Sequence, residues 1–287
     1  MMKILKYLTY AFALSIAVTA CDKHEILYDT DSVTGEDAEF QLHYFEPILN
    51  QAAYYIDSVF VNDKLYSSVK GSGQLLPYNG VPGGATGRFF ATKAGENNFK
   101  FYRKGKLVYN QTTTLKPGKQ NVFVHNLNSA PVVVDNGFPY WNPSVSNATI
   151  EGFNTDSIAS VMFCNFLYED ETTPYQGKLQ YQWKDPRSTS AEPIWHNVGS
   201  PVGFGEVTVR ETIKVVKTIF NNSGYCRIDY RILDEDGNVL KVTNTSGKVV
   251  NYSDWWNAYI GRSYMHIFSG IRTKKTPNAA VKLWTSL

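Results

Sequence analysis

The strongest constraint on the fold is a succession of short runs in which apolar and polar residues alternate, each ended by turn-forming residues. A period of two places alternate side chains on opposite faces of a β-strand. The sequences Asn62-Asp63, Lys104-Gly105 and Asp236-Gly237-Asn238 separate such runs, and residues of these types are typical of tight turns. The pattern therefore predicts an all-β fold.

Seven runs in the first part of the chain and eight in the second are predicted strands. The first set comprises residues 40–45, 54–61, 64–68, 88–92, 98–102, 107–115 and 120–125. The second set comprises residues 158–167, 178–183, 194–198, 207–220, 225–233, 239–245, 248–252 and 264–268. The run 207–220 has the length of a helix, but its Val, Ile and Thr content favours a strand or a bent pair of strands. Strands at this spacing predict two tandem β-sandwich domains of the immunoglobulin or transthyretin kind.

The predicted domain organisation follows from where these runs stop. It consists of a signal peptide (1–20), a flexible tether (21–37), a first β-sandwich (38–130), a linker (131–148) and a second β-sandwich (149–287). Three prolines and a glycine interrupt any regular element in the linker. Residues 99–108 align with residues 226–240 once turn residues are inserted, which indicates an internal duplication.

The first twenty residues have the pattern of a signal peptide. Lys3 and Lys6 precede an apolar run that is shorter than the roughly twenty residues of a membrane-spanning helix. The run ends in Val18-Thr19-Ala20-Cys21, which resembles the lipobox of bacterial lipoproteins. The resemblance implies that Cys21 carries the lipid and that the protein is anchored in the outer membrane, exposed at the surface. An ordinary secretory signal with an incidental cysteine is the alternative.

The charge balance excludes a strongly basic nucleic-acid binder. The chain has 28 Lys and Arg against 26 Asp and Glu, and removal of Lys3 and Lys6 with the signal peptide would lower the formal net charge from +2 to zero. Little electrostatic attraction to phosphate then remains. The expected partners are the membrane, through the N-terminal lipid, and either a polysaccharide or another envelope protein, with no nucleic acid.

Motifs in the first half resemble a bacterial envelope repeat of unknown function. They are Ser58-Val-Phe-Val-Asn-Asp-Lys-Leu65, Gly83-Gly-Ala-Thr-Gly87, Ala94-Gly-Glu-Asn-Asn-Phe-Lys-Phe101 and Leu115-Lys-Pro-Gly-Lys-Gln-Asn-Val-Phe-Val124. The resemblance implies tandem Ig-like β units on secreted or lipidated proteins of the Bacteroidetes, without catalytic residues. The charged residues after Cys21 resemble the surface-export signals of that phylum. Asp31-Ser32-Val33 resembles its O-glycan acceptor motif, which implies glycosylation of Ser32.

No sequence motif for catalysis, a metal or a cofactor stands out. The five histidines are far apart in the sequence, without the His-Glu-x-x-His spacing of zinc sites. There is no Gly-x-Ser-x-Gly, and the loop 83–87 lacks the Lys-Ser/Thr of a phosphate-binding loop. We therefore expect a non-catalytic protein without metal or cofactor. A glycan-processing enzyme is the remaining alternative, because paired carboxylates need proximity only in space.

Two aromatic clusters supply the sharpest functional hypothesis, which is glycan binding. Aromatic rings beside Asn and Asp can stack on sugar rings while the polar groups bind hydroxyls, and both clusters are predicted to lie on loops. The candidate ligand-binding residues are Tyr140, Trp141, Trp255, Trp256 and Tyr259. In the alternative interpretation these side chains close the ends of the sandwiches or join the two domains.

An adhesive subunit is the second functional hypothesis. Tandem sandwiches behind a lipobox also resemble fimbrillin-type precursors, which implies a terminal strand near Val281–Trp284 that is free to pair with another chain.

Two cysteines remain in the mature chain. Alternation places Cys164 with Met162 and Phe166, and Cys226 with Ile228, on faces that point to a core. One disulfide and two buried free thiols are both compatible with the sequence.

We expect labelled palmitate to enter the wild-type chain in a bacterial host and to be absent from the Cys21→Ala variant, because the lipid is attached to that thiol. The Cys164→Ala variant is the matched control and should be labelled like the wild type. Equal labelling of the Cys21→Ala variant would contradict the lipoprotein hypothesis.

Overall fold

The computed structural model describes residues 34–47, 54–68, 89–135, 156–216, 225–259 and 261–286. They contain eighteen β-strands, and no α-helix occurs within these ranges. The predicted all-β fold is therefore confirmed. Gly35–Leu287 belong to one compact unit, and none of the described residues lies in a helix that could cross a membrane.

The first eight strands form two four-stranded sheets around one core, which we call the first sandwich. The strands are β1 (Asp37–Tyr44), β2 (Ser58–Val61), β3 (Lys64–Ser68), β4 (Phe90–Lys93), β5 (Gly95–Arg103), β6 (Lys106–Leu115), β7 (Gly118–Val124) and β8 (Val132–Asp135). Sheet 1 has the order β3-β2-β5-β6 and is antiparallel. Sheet 2 has the order β4-β1-β7-β8, in which β1 and β7 run parallel.

The remaining strands form the second sandwich. They are β9 (Asp156–Tyr168), β10 (Gln180–Lys184), β11 (Trp195–Asn197), β12 (Glu211–Val216), β13 (Tyr225–Leu233), β14 (Lys241–Thr243), β15 (Val249–Asn251), β16 (Ser253–Tyr259), β17 (Ser263–Ile271) and β18 (Ala280–Ser286). Sheet 3 has the order β12-β9-β17-β18, in which β9 and β17 run parallel. Sheet 4 has the order β11-β10-β13-β16 and is antiparallel. Strands β14 and β15 form a separate ribbon.

The order of strands is the same in both sandwiches once this ribbon is set aside. In each, the first strand lies between an antiparallel neighbour and a parallel one, and the second, third, fifth and sixth strands form the other sheet. The ribbon is inserted within the strand that follows β13. The Leu240 amide donates to the Ile232 carbonyl, and the Tyr252 amide donates to the Leu240 carbonyl. The chain therefore leaves sheet 4 after Leu240 and rejoins it at Tyr252.

Three hydrophobic clusters hold these sheets together. The first core lies between sheets 1 and 2, and the second lies between sheets 3 and 4. The third, which we call the interface cluster, joins the outer faces of sheets 2 and 3 and includes Phe45, Phe123 and Phe166. The ring centroids of Phe123 and Phe166 are 4.7 Å apart, and those of Phe45 and Phe166 are 4.9 Å apart. The four sheets therefore stack in the order 1, 2, 3, 4.

The inner position of sheets 2 and 3 explains why their central strands β1 and β17 are buried on both faces. All nine residues of β17 are buried, and seven of the eight residues of β1 are buried. Such strands read as nearly continuous apolar runs rather than as alternating ones. Polar residues on them must find partners inside the protein, as Ser263 of β17 does with the Ser160 hydroxyl.

Strand β8 differs from the sequence prediction. It lies within the predicted linker, because Val132–Asp135 pairs with β7 and completes sheet 2. In the described part of the run 207–220, an isolated β-bridge pairs Val207 with Cys164 of β9. Strand β12 follows and also pairs with β9. The predicted signal peptide, Cys21, Ser32, Tyr140 and Trp141 lie outside the described residues, as do residues 217–220 and 136–148.

Cys164 and Cys226 do not form a disulfide, because both are buried free thiols. Cys164 belongs to the interface cluster on the outer face of sheet 3. Cys226 belongs to the second core, between sheets 3 and 4. Sheet 3 thus separates the two sulfurs, and packed sheets lie about 10 Å apart. Burial also raises the pKa of the Cys164 thiol, so that this sulfur stays protonated at neutral pH.

Gly270 in β17 has a φ of 100°, and a Cβ there would overlap the backbone of Asn278. Gly237 has a φ of 79°, but nothing lies within 4 Å of a Cβ at that position. We expect Gly270→Ala to lower the free energy of unfolding by more than about 3 kcal/mol, because a backbone clash adds to the strain. The matched control Gly237→Ala should cost about 1 kcal/mol. Equal losses in urea denaturation would contradict the close approach at Gly270.

Candidate ligand-binding site

A pocket of about 360 Å³ opens beside β16, the edge strand of sheet 4. Residues of both sheets of the second sandwich contribute to its wall. They are Tyr230, Asp254, Trp255, Trp256, Asn257, Tyr259, Arg262, Tyr264, His266 and Val281. Three of the five aromatic residues that the sequence singled out, Trp255, Trp256 and Tyr259, therefore line one pocket.

The two neighbouring tryptophans have different environments because they lie on a strand. The sequence placed them on a loop, and that prediction is wrong: residues 253–259 pair with β13 through seven residues. Adjacent residues of a strand point to opposite faces. Trp256 is accordingly 5% exposed in the second core, whereas Trp255 is 48% exposed. Only one of the two indoles is therefore accessible to a ligand from solvent.

Cationic side chains orient the aromatic residues at the rim. The Arg227 guanidinium lies 4.6 Å from the centroid of the Trp255 ring, and the Arg262 guanidinium lies 4.3 Å from the centroid of Tyr259. Such cation–π contacts contribute about 0.5–1 kcal/mol at exposed sites. The Tyr259 ring also packs against Tyr225, with the centroids 5.0 Å apart. These contacts restrict the rings before any ligand arrives, which lowers the entropic cost of binding.

The inner wall of the pocket is formed by a buried histidine among aromatic rings. The ring centroids of His266 and Trp256 are 4.8 Å apart, and those of Trp256 and Tyr264 are 4.5 Å apart. The Nδ1 atom of His266 lies 2.9 Å from the Tyr181 hydroxyl. Among the described residues, neither His266 Nε2 nor Trp256 Nε1 has a hydrogen-bond partner. Two unused polar atoms therefore lie on residues that line the pocket.

Burial determines the chemistry of this inner wall. It lowers the pKa of His266 to about 3, so that the imidazole is neutral at physiological pH. It also raises the pKa values of Tyr230 and Tyr264, so that both phenols stay protonated. A general base works best with a pKa near the working pH, and His266 is far from that range. The inner wall is thus uncharged and able to form hydrogen bonds, which suits the binding of a neutral hydroxyl-bearing group.

Asp254 and Asn257 add polar groups at the rim. Asp254 is exposed and Asn257 is half-buried, and both line the pocket beside Trp255. A carboxylate accepts hydrogen bonds and an amide both donates and accepts them. Within the described ranges, no three His, Cys, Asp or Glu side chains are grouped so that they could hold a metal ion.

His266 and Arg262 are not among the ligand-binding residues predicted from the sequence. His266 also serves the core through its contact with the Tyr181 hydroxyl. Alternation along β17 groups Tyr264, His266 and Phe268 on one face, and this is the signal that could have placed His266 beside aromatic side chains. Arg262 follows β16 at a turn, and only the fold brings it over Tyr259.

No family model and no curated protein matches this chain. Among solved structures, it is similar to a leucine-rich repeat protein from Bacteroides thetaiotaomicron, with 9% identity and a TM-score of 0.19. That match covers 84% of this chain and 27% of the other. It is also similar to a candidate cell adhesion protein from Bacteroides ovatus, with 8% identity and a TM-score of 0.17, covering 88% of this chain and 98% of the other.

Acidification should destabilise the protein through its buried histidines. Burial lowers the pKa of both His43 and His266 to about 3, against about 6.5 in an unfolded chain. Between these values the unfolded state binds more protons, so the free energy of unfolding falls as the pH decreases. The maximum slope is about 1.4 kcal/mol per pH unit for each histidine.

We expect His266→Gln to flatten this dependence in urea denaturation series between pH 7 and about pH 4. The His43→Gln variant should have a similar effect, and the double variant a larger one. A wild-type slope in all three variants would contradict the neutral, buried state of these side chains.

Proposed function

We propose that this protein is a non-catalytic, lipid-anchored accessory protein of the bacterial outer membrane that binds a glycan at the pocket beside β16. The observation that carries the proposal is the half-exposed indole of Trp255 at the rim of a pocket with an uncharged inner wall. An aromatic face binds the apolar face of a sugar ring, and nearby polar groups bind its hydroxyls.

The arrangement of the rim supports this proposal. Trp255 and Tyr259 lie four residues apart on one strand face, and Asn257 lies between them on the same face. The polar side chains of Asn257 and Asp254 are close enough to the rings for one ligand to contact both kinds of group. Ligand pockets commonly combine a mainly apolar lining with a few polar groups that select orientation.

The lipobox at Cys21 supports the anchoring part of the proposal, because it resembles the acylation site of bacterial lipoproteins. Several acyl chains together hold a protein on a bilayer, whereas one binds only marginally. The turn and strand motifs shared with the envelope repeat agree with a location outside the cytoplasm. The ligand would then be a polysaccharide at the cell surface.

Two other functions fit parts of the molecule. A glycan-processing enzyme would use Asp254 and His266, which line the same pocket, but the low pKa of His266 makes it a poor base near neutral pH. An adhesive or fimbrillin-like subunit would exchange a terminal strand. Strand β18 is already paired with β17 over seven residues, and this supports the binding role over strand exchange.

We expect Trp255→Ala to weaken polysaccharide binding by about tenfold or more, because it removes the accessible stacking surface. Affinity electrophoresis against a panel of neutral and acidic polysaccharides identifies a ligand, and isothermal titration calorimetry measures the change. The matched control is Leu65→Ala, which removes a residue that is 50% exposed in the first sandwich.

If no polysaccharide in the panel slows the wild-type protein, the proposed function is wrong. It is also wrong if the Trp255→Ala variant binds as tightly as the wild type and the control.

A further inference from the structure

The outer face of sheet 4 carries a second tryptophan, the half-buried Trp195, on the strand farthest from Trp255. Along β13, the even-numbered residues 226–232 are buried in the second core, so the odd-numbered residues face away from it. The same alternation holds along the neighbouring strands. It places Trp195 of β11 and Trp255 of β16 on this outer face, at opposite edges of the sheet.

A row of hydrogen bonds across three strands holds the surroundings of Trp195. Gln182 lies opposite Asn197 on one side and Arg231 on the other. Its amide nitrogen donates to Asn197 Oδ1 at 2.8 Å, and its carbonyl oxygen accepts from Arg231 Nε at 2.9 Å. The Arg231 guanidinium in turn lies 4.2 Å from the centroid of the Trp195 ring. Trp195 is therefore held by a guanidinium that is itself fixed.

The surroundings of Trp255 repeat this arrangement at the other edge. Trp255 lies opposite Asp229 in the sheet register. Arg227 Nε donates to Asp229 Oδ1 at 2.8 Å, and the Arg227 guanidinium covers the Trp255 ring. Both indoles thus pair with an arginine that a neighbouring polar side chain orients. Three strand spacings separate the two edges, which corresponds to about 14 Å. A single sugar ring cannot reach both indoles, but an extended chain can.

The charges on this face favour an acidic ligand. The outward residues of the four strands of sheet 4 include three cations, Lys184, Arg227 and Arg231, and a single carboxylate, Asp229. Arg227 already pairs with Asp229, whereas the hydrogen bond of Arg231 goes to the neutral Gln182. The face therefore carries excess positive charge between the two indoles. Carboxylate and sulfate groups are the anions that guanidinium binds with matched geometry.

We propose that the outer face of sheet 4 binds an acidic polysaccharide that lies across the strands, with sugar rings on Trp255 and Trp195 and its anionic groups on Arg231 and Lys184. This inference rests on the proposed function, because Trp255 belongs to both the pocket rim and this face. It adds a ligand class, an extended binding mode and three residues outside the pocket. The proposed ligands share one chemistry, which is a chain of pyranose rings that carry carboxylate or sulfate groups.

The first experiment compares ligand classes by affinity electrophoresis of the mature chain. The acidic arm uses polygalacturonate, alginate, hyaluronan and chondroitin sulfate, which separates carboxylate from sulfate recognition. The neutral arm uses xylan, glucomannan and dextran. We expect at least one acidic polysaccharide to slow the wild type, and Arg231→Gln to lose most of that effect while Arg231→Lys keeps part of it. Retardation by neutral polysaccharides alone would overturn the inference and leave the proposed function standing.

The second experiment tests the extended mode with a disaccharide and an octasaccharide of the acidic polysaccharide that binds. We expect Trp195→Ala to weaken octasaccharide binding by about tenfold and to leave disaccharide binding unchanged, whereas Trp255→Ala weakens both. Trp195→Phe should restore most of the octasaccharide affinity, and Leu107→Ala, at an exposed site of the first sandwich, should have no effect. Unchanged octasaccharide binding by Trp195→Ala would overturn the inference. Absence of binding to any polysaccharide would instead overturn the proposed function.

Discussion

The contact between the outer faces of sheets 2 and 3 is the constraint on which the rest of the structure depends. Phe123 and Phe166 are fully buried at this contact, and each such side chain contributes about 1.5–3 kcal/mol through burial. Across the same contact the Tyr168 hydroxyl lies 2.9 Å from His125 Nδ1. The two sandwiches are therefore joined by a core of their own, and polar residues on the inner sheets, such as His43 and Asn121, are buried with it.

This arrangement decides which surfaces of the second sandwich remain available. Sheet 3 is packed between sheets 2 and 4, so its central strand β17 is buried, and Tyr264, His266 and Val281 contribute to the pocket wall. Sheet 4 keeps its outer face in solvent, and β16 at its edge borders the pocket. The exposed Trp255 and the half-buried Trp195 and Tyr259 all lie on this sheet. The cations that orient them come from β13 and from the turn after β16.

Several elements could be predicted from the sequence because the alternation of side chains is local. Strands β3 and β13 have the predicted bounds, and the turn at Gly237 has the positive φ that its sequence favours. Strands β8 and β16 were missed for different reasons. The first lies beside prolines that suggest a linker, and the second contains an aromatic and polar composition that also suits a loop. In both, pairing with another strand, β7 for the first and β13 for the second, outweighed the local signals.

The sequence by itself determined the all-β class, most strand positions, and the aromatic character of the segment 254–259. Tertiary structure decided that Trp255 is accessible while Trp256 is buried, because strand pairing assigns adjacent residues to opposite faces. It also decided that Trp195, Arg231 and Trp255 share one surface, although 60 positions separate the two tryptophans. Side-chain alternation is a property of neighbouring residues, whereas sheet order and the stacking of sheets depend on contacts between residues far apart in the chain.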